Sequence, residues 1–300
     1  MEPSHLRRLT LRQIQIFLAI CRHESHSRAA EELALTQPAV SAQVRNLEEL
    51  VGEPLFDYLG KQLYLTPAGQ ALRRAGQELL QRLGHLEMEL AELRGVISGA
   101  LSLAVESSAQ YFLPAELAAF CRQHPAVTAD MQVMNHDQVL KGLLENRHEL
   151  VVMGRVPEDR SLRFIPFRDN HLLAVCAPDN PLRHGPPLSL VALAEQPLLV
   201  REPGSGTRGI LEEHCQAQGI RLGERHQFGS LEALKGAVAA GLGVAVLPED
   251  ACRRALAAGH LAAVPVEGFP LRRSWCLVHR RARHLSAVAE ALIKHLLAAP

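Results

Sequence analysis

The sequence predicts an α+β multidomain protein: a small helical module first, then one long helix, then a larger α/β part. Three observations carry this. Between Leu11 and Val51, apolar residues recur at helical spacing in three short runs parted by tight polar breaks. From Leu72 to Ile97, one seam repeats with a period near 3.5 residues. After Gly99, short apolar runs alternate with helical patterns, which is α/β texture. A chain of 300 residues suffices for two domains or three small ones.

Composition narrows the function classes. Lys plus Arg number 32 and Asp plus Glu number 32, so the chain is not a nonspecific polyanion binder. A local nucleic-acid face is still allowed, but charge does not announce one. Up to Leu65, the cations Arg7, Arg8, Arg12, Arg22, Arg28, Arg45 and Lys61 meet slightly more acids. The six cysteines form no CxxC pair, and no His/Cys cluster has ligand spacing. No metal is expected, and the thiols read as small buried residues of a reducing compartment. MEPSHLRRLTLRQ has no leader-like apolar stretch, and no apolar run approaches the roughly twenty residues of a membrane span. The expectation is a cytoplasmic protein without a membrane partner.

Thr10 is positioned to cap a first helix whose stripe is Leu11, Ile14, Phe17, Leu18 and Cys21. Ser27 can cap a second, short helix, on which Ala29 and Ala30 allow a close neighbour. A tight turn then leads into LTQPAVSAQVRNLEELV, Leu35 to Val51. Thr36 is an N-cap candidate whose hydroxyl can accept a free N–H, and Pro38 falls in the first turn. Val40, Val44, Leu47 and Val51 form the buried stripe. Gln37, Ser41 and Arg45 share another face, short, polar and almost free of acids. Helix, tight turn and a second helix with a polar front make a helix-turn-helix, whose front enters the major groove. Leu55 to Leu65 reads as a small hairpin with Gly60–Lys61 at its tip, which makes the module a winged variant. Gln37, Pro38 and Ser41 are the candidates for base edges. Arg28, Thr36, Gln43, Arg45 and Lys61 complete the candidate DNA contacts, with Thr36, Arg45 and Lys61 on phosphates.

Thr66–Pro67 opens the long helix. Its seam is Leu72, Gly76, Leu79, Leu83, Leu86, Leu90, Leu93 and Ile97, with Gly76 weakening the start. One helix cannot bury such a seam alone, so it predicts a partner chain. Gly95 and Ser98–Gly99 mark a hinge.

Beyond the hinge, strands are expected at Leu101–Ser107, Val127–Met134, Leu150–Met153, Leu172–Ala177, Leu198–Arg201, Val244–Leu247 and Ser274–His279, in mainly parallel sheets. Ligands of such sheets sit at strand carboxyl ends beside helix N-termini. REPGSGTRG, Arg201 to Gly209, follows a strand and opens a helix. Gly204, Gly206 and Gly209 satisfy GxGxxG, and Glu224 lies twenty residues beyond Gly204, so a dinucleotide-binding enzyme is an alternative. Against it, the motif sits in mid-chain, and IRLGERHQ around Glu224 has no clean strand before it. The smaller reading is anion capture by free N–H groups, the Ser205 and Thr207 hydroxyls and Arg208, with Arg201 at the head of the loop. Asn135 and Arg155 end two further strands, and Ser230 stands at a helix start. His136 and Lys235 read as solvated helix residues, and His279, His284 and His295 as surface. No GxSxG, HExxH, P-loop or acid/base pair supports an enzyme.

The run from Leu11 to Gly69 resembles the DNA-binding domain of the LysR-type transcriptional regulators. The matching blocks are RQIQIFLAI, SRAAEEL, TQPAVSAQVRNLEELVGEPLF and LTPAG. Two departures are His26, where the family usually carries an aromatic, and Tyr58–Leu59, where many members carry a wing arginine. The resemblance implies the whole architecture. This is a winged helix-turn-helix DNA-binding domain (1–66), a linker dimerisation helix (67–98) and a two-subdomain α/β effector-binding domain of periplasmic-binding-protein type (99–300). Subdomain 1 would hold 99–168 and 270–300, subdomain 2 would hold 169–269, and the chain would cross near Phe167–Asn170 and Glu267–Leu271. It also implies an activator acting as homodimer or homotetramer on a pseudo-palindromic operator, with RNA polymerase as a further partner. Ser107 and Ser108 end the first strand as effector-contacting residues of the family do. YFLP, VMGRVP and REPGSGTR resemble most the regulators of carbon-fixation (RuBisCO) operons. That branch implies a phosphorylated or carboxylated metabolite, with NADPH as one candidate, held by Arg155 and Arg208. Other readings are a LysR-type regulator of an unrelated metabolic operon and a solute-binding protein, which the N-terminal module opposes.

Overall fold

Thr10 starts the first helix with a reciprocal cap. Its hydroxyl accepts from Gln13 N (3.3 Å), and the Gln13 side-chain carbonyl accepts from Thr10 N (3.0 Å). The computed structural model describes residues 5–60, 62–223 and 225–298. It divides into two units, Met1–Glu87 and Met88–Pro300.

In the first unit, α1 (Leu11–His23), α2 (His26–Glu32) and α3 (Gln37–Val51) precede a hairpin of β1 (Phe56–Leu59) and β2 (Gln62–Leu65); α4 (Pro67–Glu92) follows and ends in the second unit. Ile14, Phe17, Ala29, Val40, Val44, Leu47 and Leu55 form the core. Three local expectations change. Leu11 is 48% exposed and leaves the stripe to Ile14, Phe17 and Leu18. Ser25, not Ser27, caps α2, accepting from Arg28 N at 3.4 Å; starting there turns both alanines into the core. Thr36 is the N-cap of α3, but its hydroxyl makes no cap hydrogen bond. Lys61, expected at the hairpin tip, lies outside the described residues, as does Glu224.

At the start of α4, the Thr66 hydroxyl accepts from Gly69 N (3.0 Å) and donates to Pro54 O (2.7 Å). Gly76 does not weaken a seam: it is buried against Ile14 and Leu18 of the same chain, with Leu72 packed on that core. The exposed seam is therefore Leu79, Leu83, Leu86 and Leu90. The helix stops at Glu92, short of the expected 98. Leu93 is left 84% exposed, and Ile97 packs into the second unit.

The second unit begins with β3 (Gly99–Glu106), α5 (Leu113–Gln123), β4 (Val127–Met134), α6 (His136–Leu144), β5 (Leu150–Met153) and β6 (Leu162–Cys176). Then come α7 (Leu190–Ala194), β7 (Leu198–Arg201), α8 (Gly206–Ala217), β8 (Arg225–Phe228) and α9 (Leu231–Ala239). The unit ends with β9 (Ala245–Pro248), α10 (Glu249–Ala257), β10 (Ala262–Val264), β11 (Leu271–Arg280) and α11 (Ala287–Ala298). Among the described residues, one sheet runs β10-β6-β11-β5-β3-β4, with β9 also on β6; β7 and β8 pair separately.

This sheet is mixed rather than mainly parallel. β3 pairs in parallel with β4 and β5, but β6 pairs antiparallel with β9, β10 and β11. The difference lies in β6. Its charged residues Arg163, Arg168, Asp169 and His171 interrupt the apolar pattern, so only its end reads as strand in the sequence. Pairing to β11 from Leu162↔Arg280 to Leu172↔Leu271 overrides that composition. The chain therefore passes between its cores along two paired strands. Ile165, Phe167, Trp275 and Leu277 pack with Leu103, Phe120 and the α11 residues Val288 and Leu292. Leu172 and Leu271 pack with Leu198, Ile210 and Val246 instead. The second passage thus falls at 271–275, later than expected. No helix among the described residues is long and apolar enough to cross a membrane.

Candidate functional site

The front of α3 is open to solvent. Thr36, Gln37, Pro38 and Arg45 are exposed, Ser41 and Gln43 are half-buried, and Arg28 on α2 is exposed. Gln37 Nε2 donates to Ser41 Oγ at 3.1 Å, which joins two of the expected base-reading side chains. Of the acids behind them, Glu48 is turned to structural use: its Oε1 accepts from Leu55 N (2.8 Å) and fixes the entry to the wing. His26 stands between helix and wing. Its Nδ1 lies 3.3 Å from Ser41 Oγ, its Nε2 3.3 Å from the Tyr58 hydroxyl, and its ring edge faces Phe56 at 6.0 Å. Burial pushes its pKa down, against the raising effect of Glu48. In the sequence, the only signal for His26 was its departure from an aromatic.

The second unit brings Ser107, Arg201, Ser205 and Thr207 to the carboxyl ends of β3 and β7, beside the start of α8. Arg201, 4% exposed, donates from Nη1 to Ser107 Oγ (3.2 Å) and holds Glu202 through Nε (2.8 Å) and Nη2 (3.0 Å). Ser205 is the α8 N-cap and makes no side-chain cap bond; Ser108, Ser205 and Thr207 are all buried. The expected cations are engaged elsewhere. Arg155 Nε donates to Glu213 (2.8 Å). Arg208 donates to Glu212 (2.8 Å), the Arg201 carbonyl (3.1 Å) and Gln227 (3.2 Å), so it buttresses β7. Asn135 caps α6 in a box with Gln138, and exposed Ser230 caps α9, accepting from Ala233 N (3.4 Å).

Two further residues lie beside these groups: Glu106, which the sequence does not single out, and His136, expected to be solvated. Glu106 ends β3 buried, and His136 is 3% exposed rather than solvated; Nδ1 and Oε1 are 2.8 Å apart. A Cβ on Gly206 would stand 2.6 Å from Glu106 Oε2, so glycine there lets the carboxylate rest against the first turn of α8. Asp137 lies likewise against Gly204, and its N–H donates to the Gly204 carbonyl (3.2 Å). The helix start that resembled a pyrophosphate seat thus meets carboxylates of its own chain. Lys235 and His279 are also not the solvated residues expected. Lys235 stacks on Tyr111 (4.6 Å) and donates to Ala251 O (3.1 Å), and His279 is 7% exposed. His295 is half-buried against Phe120. A cavity of about 710 Å³ flanks the crossing strands among Arg168, His171, Asp250 and Arg253 and includes none of the expected effector residues.

A winged helix-turn-helix on a long helix, joined to an α/β unit with two cores and polar groups at facing strand ends, defines a DNA-binding regulator with a ligand domain. Residues 11–70 match the bacterial regulatory helix-turn-helix protein, lysR family, and residues 94–300 match the LysR substrate binding domain. The chain belongs to the LysR family of transcription regulators. It is 42% identical to the RuBisCO operon transcriptional regulator of Acidithiobacillus ferrooxidans, over 98% of this chain and 95% of that one. The CcmR regulatory domain of Synechocystis PCC6803, solved in complex with 2-PG, is 30% identical over 67% of this chain and 97% of that chain, with a TM-score of 0.64. Full-length CbnR complexed with its target DNA, 20% identical, shares the fold over 96% of this chain and 99% of that chain, with a TM-score of 0.69.

Proposed function

We propose that this chain controls carbon-fixation genes and that a small phosphorylated or carboxylated anion, bound beside the start of α8, sets its activity. Likeness to a RuBisCO operon regulator along nearly the whole of both chains supports the target. The observation that carries the ligand reading is Arg201. A buried guanidinium reaches from β7 to Ser107 on β3, next to the Ser205 and Thr207 hydroxyls and a helix N-terminus. Glu106 already rests there, so an incoming anion displaces it, and ligand binding is thereby linked to movement of β3 against α8. Arg155 and Arg208 support this arrangement through their acids.

On DNA, Gln37, Pro38 and Ser41 address base edges, Arg28, Thr36, Arg45 and Lys61 address phosphates, and Gln43 backs them. Leu79, Leu83, Leu86 and Leu90 pair with a second copy, which presents two α3 helices to a two-fold site. Recruitment of RNA polymerase is the output. The test is footprinting of a RuBisCO-operon promoter duplex by the full chain, with 2-PG or NADPH added. The expected result is a specific footprint whose length changes with one of them, and an Arg201→Gln variant that keeps the footprint but not the change. A footprint that neither compound changes, or equal binding to unrelated duplexes, sinks the reading.

A further inference from the structure

His26 joins the reading face of α3 to the wing by hydrogen bonds that no sequence pattern announced. We propose that its tautomer decides which of two hydroxyls, Ser41 on α3 or Tyr58 on the wing, offers its hydrogen to DNA. The inference rests on the DNA-binding reading above and adds a rule of specificity to it.

A neutral imidazole has one N–H and one bare nitrogen. If Nε2 carries the hydrogen, it donates to the Tyr58 oxygen, and the Tyr58 O–H is left to point outward. Nδ1 then accepts from Ser41, whose hydrogen is engaged. If Nδ1 carries the hydrogen, it donates to Ser41 Oγ, and Tyr58 donates to Nε2; now the Ser41 hydrogen is the one offered. Gln37 donates to Ser41 Oγ in both states, because that oxygen has two lone pairs. The ring is held in place for this exchange by Phe56 and by its own partial burial. Tyr58 is 65% exposed, which leaves its hydroxyl within reach of a backbone.

Phosphate oxygens only accept. A wing seated on phosphate therefore selects the Nε2–H ring and turns Ser41 into an acceptor. Ser41 then favours a base amino group over a base carbonyl. With the wing off the duplex, Ser41 recovers its donor, and the preference relaxes. His26 is thus a positioning residue that couples backbone contact by the wing to base reading by α3.

The test uses the full chain and duplexes enriched by it from a random pool. His26→Phe keeps an aromatic ring against Phe56 and removes both nitrogens; Tyr58→Phe removes only an exposed hydroxyl and leaves the core untouched. Each is expected to weaken binding to the enriched duplex by about threefold to tenfold, the worth of one or two such bonds. The double variant should lose less than the sum of the two single losses, since both break one relay. Shortening the duplex at the wing end should change the base preferred opposite Ser41 for the parent chain only. Nitrogen-15 spectra of the His26 ring should show the Nε2–H form on the full-length duplex. Additive losses, a base preference indifferent to both substitutions, or a ring unchanged by DNA would overturn the inference while leaving DNA binding intact. Failure to enrich any duplex would overturn the DNA reading and this inference together.

Discussion

His148 shows how burial converts into pH dependence at the residue scale. It is 5% exposed, and neither ring nitrogen has a hydrogen-bond partner among the described residues. Burial first, then Arg147 and Arg283, push its pKa below the usual 6.5, with Asp130 opposing. The unfolded chain therefore takes up a proton that the folded chain refuses. Stability is unaffected well above 6.5 and falls as pH drops below it. His26 and His279, also lowered chiefly by burial, add the same sign. The urea midpoint should decline between neutral pH and pH about 5, and His148→Leu should reduce that decline; an equal slope in the variant would remove His148 from the account. At the proposed ligand site, Glu106→Gln takes away the carboxylate that rests against the start of α8. Titration should show tighter 2-PG binding in that variant, with DNA binding in the absence of ligand unchanged. On α3, Gln37→Ala should alter the enriched sequence, while Arg45→Ala should weaken all duplexes alike and lower the salt slope by about one.

At the scale of elements, the joint between wing and long helix leaves no room at Gly69. A Cβ on Gly69 would lie 2.1 Å from the Leu55 carbonyl oxygen, a backbone atom that cannot swing aside. Gly69→Ala should destabilise this unit by about 1–3 kcal/mol, the usual cost of overpacking, read as a lower melting temperature. The helices of this unit were legible because their stripes are local and their breaks are sharp. Their caps were less so: Ser25 and Ser27 are equally good capping residues, and the packing of Ala29 and Ala30 chooses between them. β6 was half-legible. Leu172 to Cys176 looks like strand, but the stretch before it is too polar to announce itself and becomes strand only because β11 lies alongside.

For the whole molecule, the exposed Leu79, Leu83, Leu86 and Leu90 recur at spacings of four, three and four on one side of α4. Leu83→Arg with Leu90→Arg should convert the assembly to monomers in light scattering and lower operator affinity, since two α3 helices no longer bind together. Operator affinity that survives in the monomer would place the pairing surface elsewhere.

Local and periodic features are legible in the chain alone: most of the order of elements, the stripe of α3, the leucine seam, the α/β alternation and the family. These need only near neighbours along the chain, which a linear pattern records. The tertiary structure decided the rest. It sent Arg155 and Arg208 to Glu213 and Glu212, turned Arg201 towards Ser107, set Glu106 against α8 and placed His26 between Ser41 and Tyr58. Each of these joins residues far apart in sequence or chooses among several partners within reach. Burial and distance make that choice, and neither is written in spacing alone.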